Sequence, residues 1–188
     1  ILANCFLMLC LFSVVLMATV IPLRRPMLLF FGASETTLPY ANEYFLYYMF
    51  GTVFALLAGG LNSFVVAQGF AQQAMLSVVL GAVMNILLDP LFIFVLDMGV
   101  RGAAIATVLS QTASCAYVLS FLFGWRAQIP ITFKGYSPST AGRVLTLGLT
   151  PFSIIAVDNV MIIAMNAVLQ RYGGIREGDL LITVATIV

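Results

Sequence analysis

Five apolar runs, each long enough to cross a lipid bilayer, leave this chain few ways to fold. They are Ile1 to Ile21, Tyr44 to Val66, Gln73 to Leu96, Ala103 to Gly124 and Leu147 to Leu169. A spanning helix needs about 20 predominantly apolar residues at about 1.5 Å rise each, and every run meets that length. The pattern predicts an all-α, polytopic transmembrane bundle of five full spans. A sixth run, LLITVATIV from Leu180 to Val188, reads as the start of another. The chain opens on Ile1 inside an apolar run, without a starter Met or the charged flank of a signal peptide. It therefore reads as an internal piece of a larger polytopic protein.

Composition agrees with a membrane location: the 188 residues are 62% hydrophobic and 8% charged, against about 25% charged in an average soluble domain. No basic cluster suggests a nucleic-acid partner or an anionic lipid surface, and the net charge is +1. Histidine is absent, which removes His-based nucleophile triads, HExxH zinc sites and imidazole proton relays. Cys5, Cys10 and Cys115 lie in apolar runs without metal-ligand spacing, as small packing residues do.

The connections differ in kind. Residues 22–43 carry Pro22, Arg24, Arg25 and Pro26, then a Gly-Ala-Ser-Glu turn, and read as a helix end, an interfacial turn and a new helix start. The links at 67–72 and 97–102 are tight, so the spans they join should be antiparallel neighbours. The longest linker, Trp125 to Thr146, carries Arg126, Lys134 and Arg143 and no acid, and Ser137-Pro138 fits an N-cap followed by proline at the first helical position. A boundary is expected there, dividing residues 1–136 from 137–188. Sidedness stays open: counting Lys and Arg places the loops at 22–43, 97–102 and 171–179 in the cytoplasm, whereas net charge favours the opposite.

Charge inside the spans is scarce and therefore informative. Asp89 lies in the third span, where a carboxylate costs about 2.5–3.5 kcal/mol at the helix centre. Asn85 lies one turn earlier on the same helical face. Pro90 follows at once, and should kink the helix and free carbonyl oxygens. A carboxylate, an amide oxygen and loosened carbonyls suit a hard cation such as Na⁺, or a carboxyl that takes up a proton. The alternative is a buried polar pair that staples helices together. Thr107, in the next span at a similar depth, could join the site, although such a threonine often bonds its own i−4 carbonyl. Asp158, beside Asn159 in the fifth span, is a second candidate by the same cost argument. Asn62 lies on the other side of the midplane and could line a cavity. Gly51, Ala55 and Gly59 follow the small-xxx-small spacing of close helix packing.

The runs GASETTLPYANEYFLYYMFGTVFALLAGGLNSFVVAQG and GAVMNILLDPLFIFVLDMGVRGAAIAT, with LGLTP at 147–151 and NAVLQRYGG at 166–174, resemble the multidrug and toxic compound extrusion family. The resemblance covers nearly the whole chain. It implies a twelve-helix antiporter of two six-helix lobes, with residues 1–136 holding helices three to six and the linker, and 137–188 the next helix and the start of another. Such proteins expel amphipathic or cationic small molecules through the cell membrane by alternating access, in exchange for Na⁺ or H⁺, and need no other cofactor. The resemblance assigns Asn85, Asp89 and Thr107 to a cation or proton site (to Na⁺ itself if the protein is sodium-coupled), completed by an acid outside this chain. It assigns Asn62 to the substrate cavity, where Tyr40, Tyr44 and Asp158 are further candidates. Asp158 is offset by about one residue from the second-lobe acid of one branch. The resemblance also places the 125–146 linker in the cytoplasm and implies a monomeric transporter rather than an enzyme. A flippase for lipid-linked saccharides would share the helical plan, but no Lys or Arg lies inside any span to hold pyrophosphate. An intramembrane aspartyl protease would need a Gly-x-Gly-Asp run, which is missing.

Overall fold

The computed structural model describes residues 1–188 except Gly32, Trp125, Arg126, Pro130, 132–135 and Val188, with side chains described as far as Leu169. Arg126 and Lys134 of the linker, and the side chains of Arg171 and Arg176, on which the loop-charge count partly rests, lie outside the described residues. The order of elements is α1 (Leu2–Phe30), α2 (Leu38–Ala67), α3 (Ala71–Pro90), a π-helical turn (Leu91–Val95), α4 (Gly99–Phe123) and α5 (Pro138–Ile187). Among the described residues five helices are long and apolar enough to cross a membrane.

The chain forms two compact units, Ile1–Pro22 with Glu43–Gly142 and Leu23–Asn42 with Arg143–Val188. The first holds most of α1 and α2 and all of α3 and α4. Its apolar core gathers at the end where α2 meets α3: Leu57, Leu61 and Val65 of α2, Ala74 of α3, and Cys115, Val118 and Leu122 of α4, closed by Ile131. Phe70 and Phe121 meet edge to face there, with ring centroids 5.1 Å apart. Lipid tails are as apolar as these side chains, so close packing rather than water exclusion holds the helices together. Glycines permit the approach. A Cβ on Gly51 would stand 2.5 Å from Val108 Cγ2, and one on Gly102 would stand 2.7 Å from the Phe92 carbonyl.

The tight links form as expected, with residues in the left-handed region at each: Gly69 at φ 87° between α2 and α3, and Asp97 at φ 50° before α4 with Gly99 at φ 53° as its first residue. Aspartate is among the few non-glycine residues that visit this region readily. Beyond α4 the linker is clasped to the first unit. Gln68 Nε2 donates to the Ile129 carbonyl at 3.3 Å while the Ile129 N–H donates to Gln68 Oε1 at 3.0 Å. The buried Asn4 accepts from the Ser137 N–H through Oδ1 at 3.1 Å, at the start of α5.

Two expectations about helix ends are corrected. α1 does not stop at Ile21 but runs through Pro22 and Pro26 to Phe30, and the turn follows at Ala33–Thr37. The two prolines are four residues apart, so the donors they lack fall on one helical face and the remaining ladder carries the helix on. The two units divide at Pro22, inside this helix. α5 likewise passes through the expected loop at 171–179 and is 50 residues long. Its glycines there each cost about 1 kcal/mol relative to alanine, but no proline removes a backbone donor, so the helical bonding continues. The second unit also contains the Ser34–Thr37 turn, where Thr37 N–H donates to Ser34 Oγ at 3.3 Å and Ser34 N–H donates to Thr37 Oγ1 at 3.1 Å. In the same unit Arg24 Nε donates to Asn42 Oδ1 at 2.8 Å.

Candidate functional site

α3 ends as an α-helix at Pro90 and continues as the π-helical turn Leu91–Val95. Proline brings no N–H and its ring crowds the carbonyl one turn earlier, so the regular ladder cannot pass it unchanged. Short π-helical turns of this kind occur frequently at functional sites. Asp89 stands at this transition, half-buried, and accepts a hydrogen bond from Asn85 Nδ2 at 3.2 Å through Oδ1. A carboxamide that gives its N–H₂ to a carboxylate keeps its own carbonyl oxygen for another partner.

Thr107 Oγ1 donates to the Ala103 carbonyl at 2.9 Å. Its proton is thereby committed to its own helix and its lone pairs remain to coordinate or accept. Asn85 and Thr107 line one cavity of about 390 Å³ between α2, α3 and α4. Asn62 lines the same cavity and accepts from Ser77 Oγ at 3.1 Å. Asp89 is not in its lining and reaches it through Asn85. Among the described residues no three of His, Cys, Asp and Glu come together. A cation beside Asp89 would meet one carboxylate, while the cavity next to it offers only neutral oxygens, both of them ligands that suit a hard ion.

The other candidates lie elsewhere. Tyr44 stacks on Tyr48, ring centroids 5.9 Å apart and planes 15° apart, and is not in the cavity lining. Tyr40 and Asp158 belong to the second unit, where both are exposed. Asn159 beside Asp158 donates to the Ile155 carbonyl at 2.7 Å, a bond within its own helix.

Four lining residues escaped the reading of single polar outliers: Ser77, Ser110, Gln111 and Ser114. Ser77 and Ser110 are buried, at 2% and 5% exposure. Serine is inexpensive in lipid when it back-bonds to its own helix, as Ser110 Oγ does to the Thr107 carbonyl at 2.8 Å, so a scan for costly groups passes over it. The available signal was periodic: Ser77, Gly81 and Asn85 recur every four residues, so each stacks close to the next along one ridge of α3.

Known proteins share this sequence pattern and this fold. The MatE family model matches residues 1–91. The multidrug export protein MepA of Staphylococcus haemolyticus is 27% identical over 143 residues, covering 75% of this chain and 32% of that protein. The chain thus spans about a third of the length of the curated relatives it matches. The structure of the MATE multidrug transporter DinF-BH superposes with a TM-score of 0.90 at 31% identity, over 99% of this chain and 41% of that one. A multidrug resistance MATE family transporter of the MOP superfamily superposes in its outward-facing conformation with a TM-score of 0.82 at 27% identity, over 98% and 41% of the two chains. Its inward-facing conformation gives 0.74 at 28%, over 79% and 34%.

Proposed function

Because the chain belongs to the multidrug and toxic compound extrusion family and is a multi-pass membrane protein, we propose that the whole protein extrudes amphipathic or cationic small molecules across the cell membrane in exchange for Na⁺ or H⁺. The observation that carries this reading is the Asn85–Asp89 pair: an intramembrane carboxylate at the α-to-π transition, bonded to a carboxamide that lines a polar cavity. Asp89 is the coupling acid, Asn85 and Thr107 supply neutral oxygens, and Asn62 faces cargo. The aromatics Tyr40 and Tyr44 and the carboxylate of Asp158 act on cargo outside the cavity described above, and the working unit is a monomer with residues 137–188 opening its second lobe.

Alternating access follows from differential affinity. A bound cation or proton shifts the balance between outward-facing and inward-facing arrangements only as far as it binds one more tightly than the other. A ten-thousandfold preference, about 5.5 kcal/mol, would carry the population from 1:99 to 99:1. Neutralising a carboxylate at a helix discontinuity is a step of the right order, since ionised and neutral carboxylates differ by several kcal/mol in lipid.

The test is ethidium efflux from cells carrying the full-length parent or its Asp89→Asn variant at matched membrane expression. The reading expects Na⁺- or pH-driven efflux from the parent and its loss in the variant. Equal efflux from both would move the coupling site elsewhere.

A further inference from the structure

Glycine weakens a helix, so a glycine inside a span calls for a reason. At Gly51 and Gly60 the reason is a neighbouring side chain: an added Cβ would press on Val108 or on Leu9. Gly102 is different. It is buried in the first turn of α4, and a Cβ there would lie 2.7 Å from the Phe92 carbonyl oxygen, 2.8 Å from the carbonyl carbon and 3.0 Å from Phe92 Cβ. A C–H carbon and a carbonyl oxygen ordinarily meet at about 3.3–3.6 Å. Alanine would therefore need about 0.6 Å more room, and none of the three atoms moves with a rotamer change.

The place of this contact matters more than its closeness. Phe92 belongs to the π-helical turn after Pro90, three residues beyond Asp89. Its carbonyl also accepts from the Met98 N–H at 3.0 Å, and the Leu91 carbonyl accepts from the Leu96 N–H at 3.0 Å, so the backbone ties this turn to the approach of α4. On the other side of the contact, Ala103 follows Gly102, and its carbonyl accepts from Thr107 Oγ1 at 2.9 Å. One backbone joint thus stands between the carboxylate of α3 and the hydroxyl of α4. Many transmembrane glycines only let helices approach. This one meets the segment that carries Asp89, at the point where the helix leaves its regular ladder.

We propose that Gly102 is a positioning residue for the coupling ion: its missing side chain lets α4 rest on the Phe92 carbonyl and so sets the spacing of Thr107 from Asp89 and Asn85. The proposal rests on the reading of Asp89 as the coupling acid and adds what holds the ligand set in place. Gly102 touches neither ion nor cargo and acts through the two helices that it joins. Binding groups need to be held within about 0.5 Å of their working geometry. A methyl at Gly102 exceeds that tolerance, so ion binding weakens while cargo contacts are left alone.

The test uses the full-length protein in proteoliposomes and follows ethidium transport, with Na⁺ varied at fixed pH and pH varied at fixed Na⁺. Gly102→Ala should raise at least tenfold the concentration of the driving ion, Na⁺ or H⁺, needed for half-maximal transport. The half-maximal ethidium concentration should stay within twofold. Gly60→Ala, which adds a methyl against Leu9 between α1 and α2, should move neither value. An ion value unchanged by Gly102→Ala, a cargo value that moves with it, or an equal shift in Gly60→Ala overturns the proposal. Should Gly102→Ala fail to reach the membrane, Asp97 offers a milder change in the same joint, because its left-handed backbone turns the chain toward Met98. Asparagine tolerates that conformation and alanine does so poorly. Asp97→Ala should then need severalfold more ion than Asp97→Asn, and equal values in the two overturn the proposal. Asp89→Asn is run beside them: gradient-driven transport that persists there sinks the coupling reading itself, whereas its loss with an unmoved Gly102→Ala sinks the positioning role alone.

Discussion

Gly51→Ala isolates the contact that sets the approach of α2 to α4. The added Cβ would stand 2.5 Å from Val108 Cγ2 and 3.2 Å from both Val108 Cβ and Cγ1. A β-branched side chain in a helix has one strongly preferred χ1, so Val108 cannot rotate away and the helices must part. Overpacking of this kind costs about 1–3 kcal/mol, offset by about 1 kcal/mol from the better helix propensity of alanine, leaving a net loss of roughly 0–2 kcal/mol. The net value alone is therefore weak evidence. In a double-mutant cycle with Val108→Ala the propensity terms cancel, and the clash remains as a coupling of about 1–3 kcal/mol in favour of the double variant. The assay is reversible unfolding of the full-length protein in mixed micelles, titrated with a denaturing detergent. A coupling within about 0.5 kcal/mol of zero would refute the steric argument and make Gly51 an ordinary helix position.

Other outcomes follow from individual bonds. Thr107→Val should leave unfolding stability within about 0.5 kcal/mol, because the hydroxyl only back-bonds to Ala103, yet raise the cation concentration for half-maximal efflux severalfold. Gln68→Ala removes both bonds to Ile129, worth about 0.5–1.5 kcal/mol each, and should speed exchange of the Ile129 amide about tenfold or more, read by hydrogen–deuterium exchange. Asn4→Ala deprives the Ser137 N–H of its acceptor and should raise exchange at Ser137 with that at Ile129 unchanged. Glu43→Gln breaks an exposed ion pair with Arg101, and any loss of stability should vanish at high salt.

Span identity was legible because lipid imposes one rule, a long apolar run, and α2, α3 and α4 obey it with links that glycine and aspartate close. Asp89 and Asn85 were legible because charge in lipid is costly enough to stand out singly. Helix ends were less so. At Pro22 and Pro26 a local breaker signal lost to the rest of the ladder, and at 171–179 glycine was too weak a stop. The cavity lining was hidden for a different reason: Ser77, Ser110 and Ser114 hide their hydroxyls against backbone carbonyls, so each is cheap alone and only the cavity that α3 and α4 bring them to carries meaning. Gly81 reads as a packing residue until the Ser114 hydroxyl beside it is seen.

The most direct test of the central claim is counterflow in proteoliposomes holding the purified full-length protein, with ethidium and the coupling ion followed together. The account predicts that an imposed Na⁺ or pH gradient drives ethidium uphill, and that Asp89→Asn abolishes both ion flux and uphill transport while the protein stays folded. Uphill ethidium transport by Asp89→Asn, at the parent's ratio of ion to cargo, would contradict it.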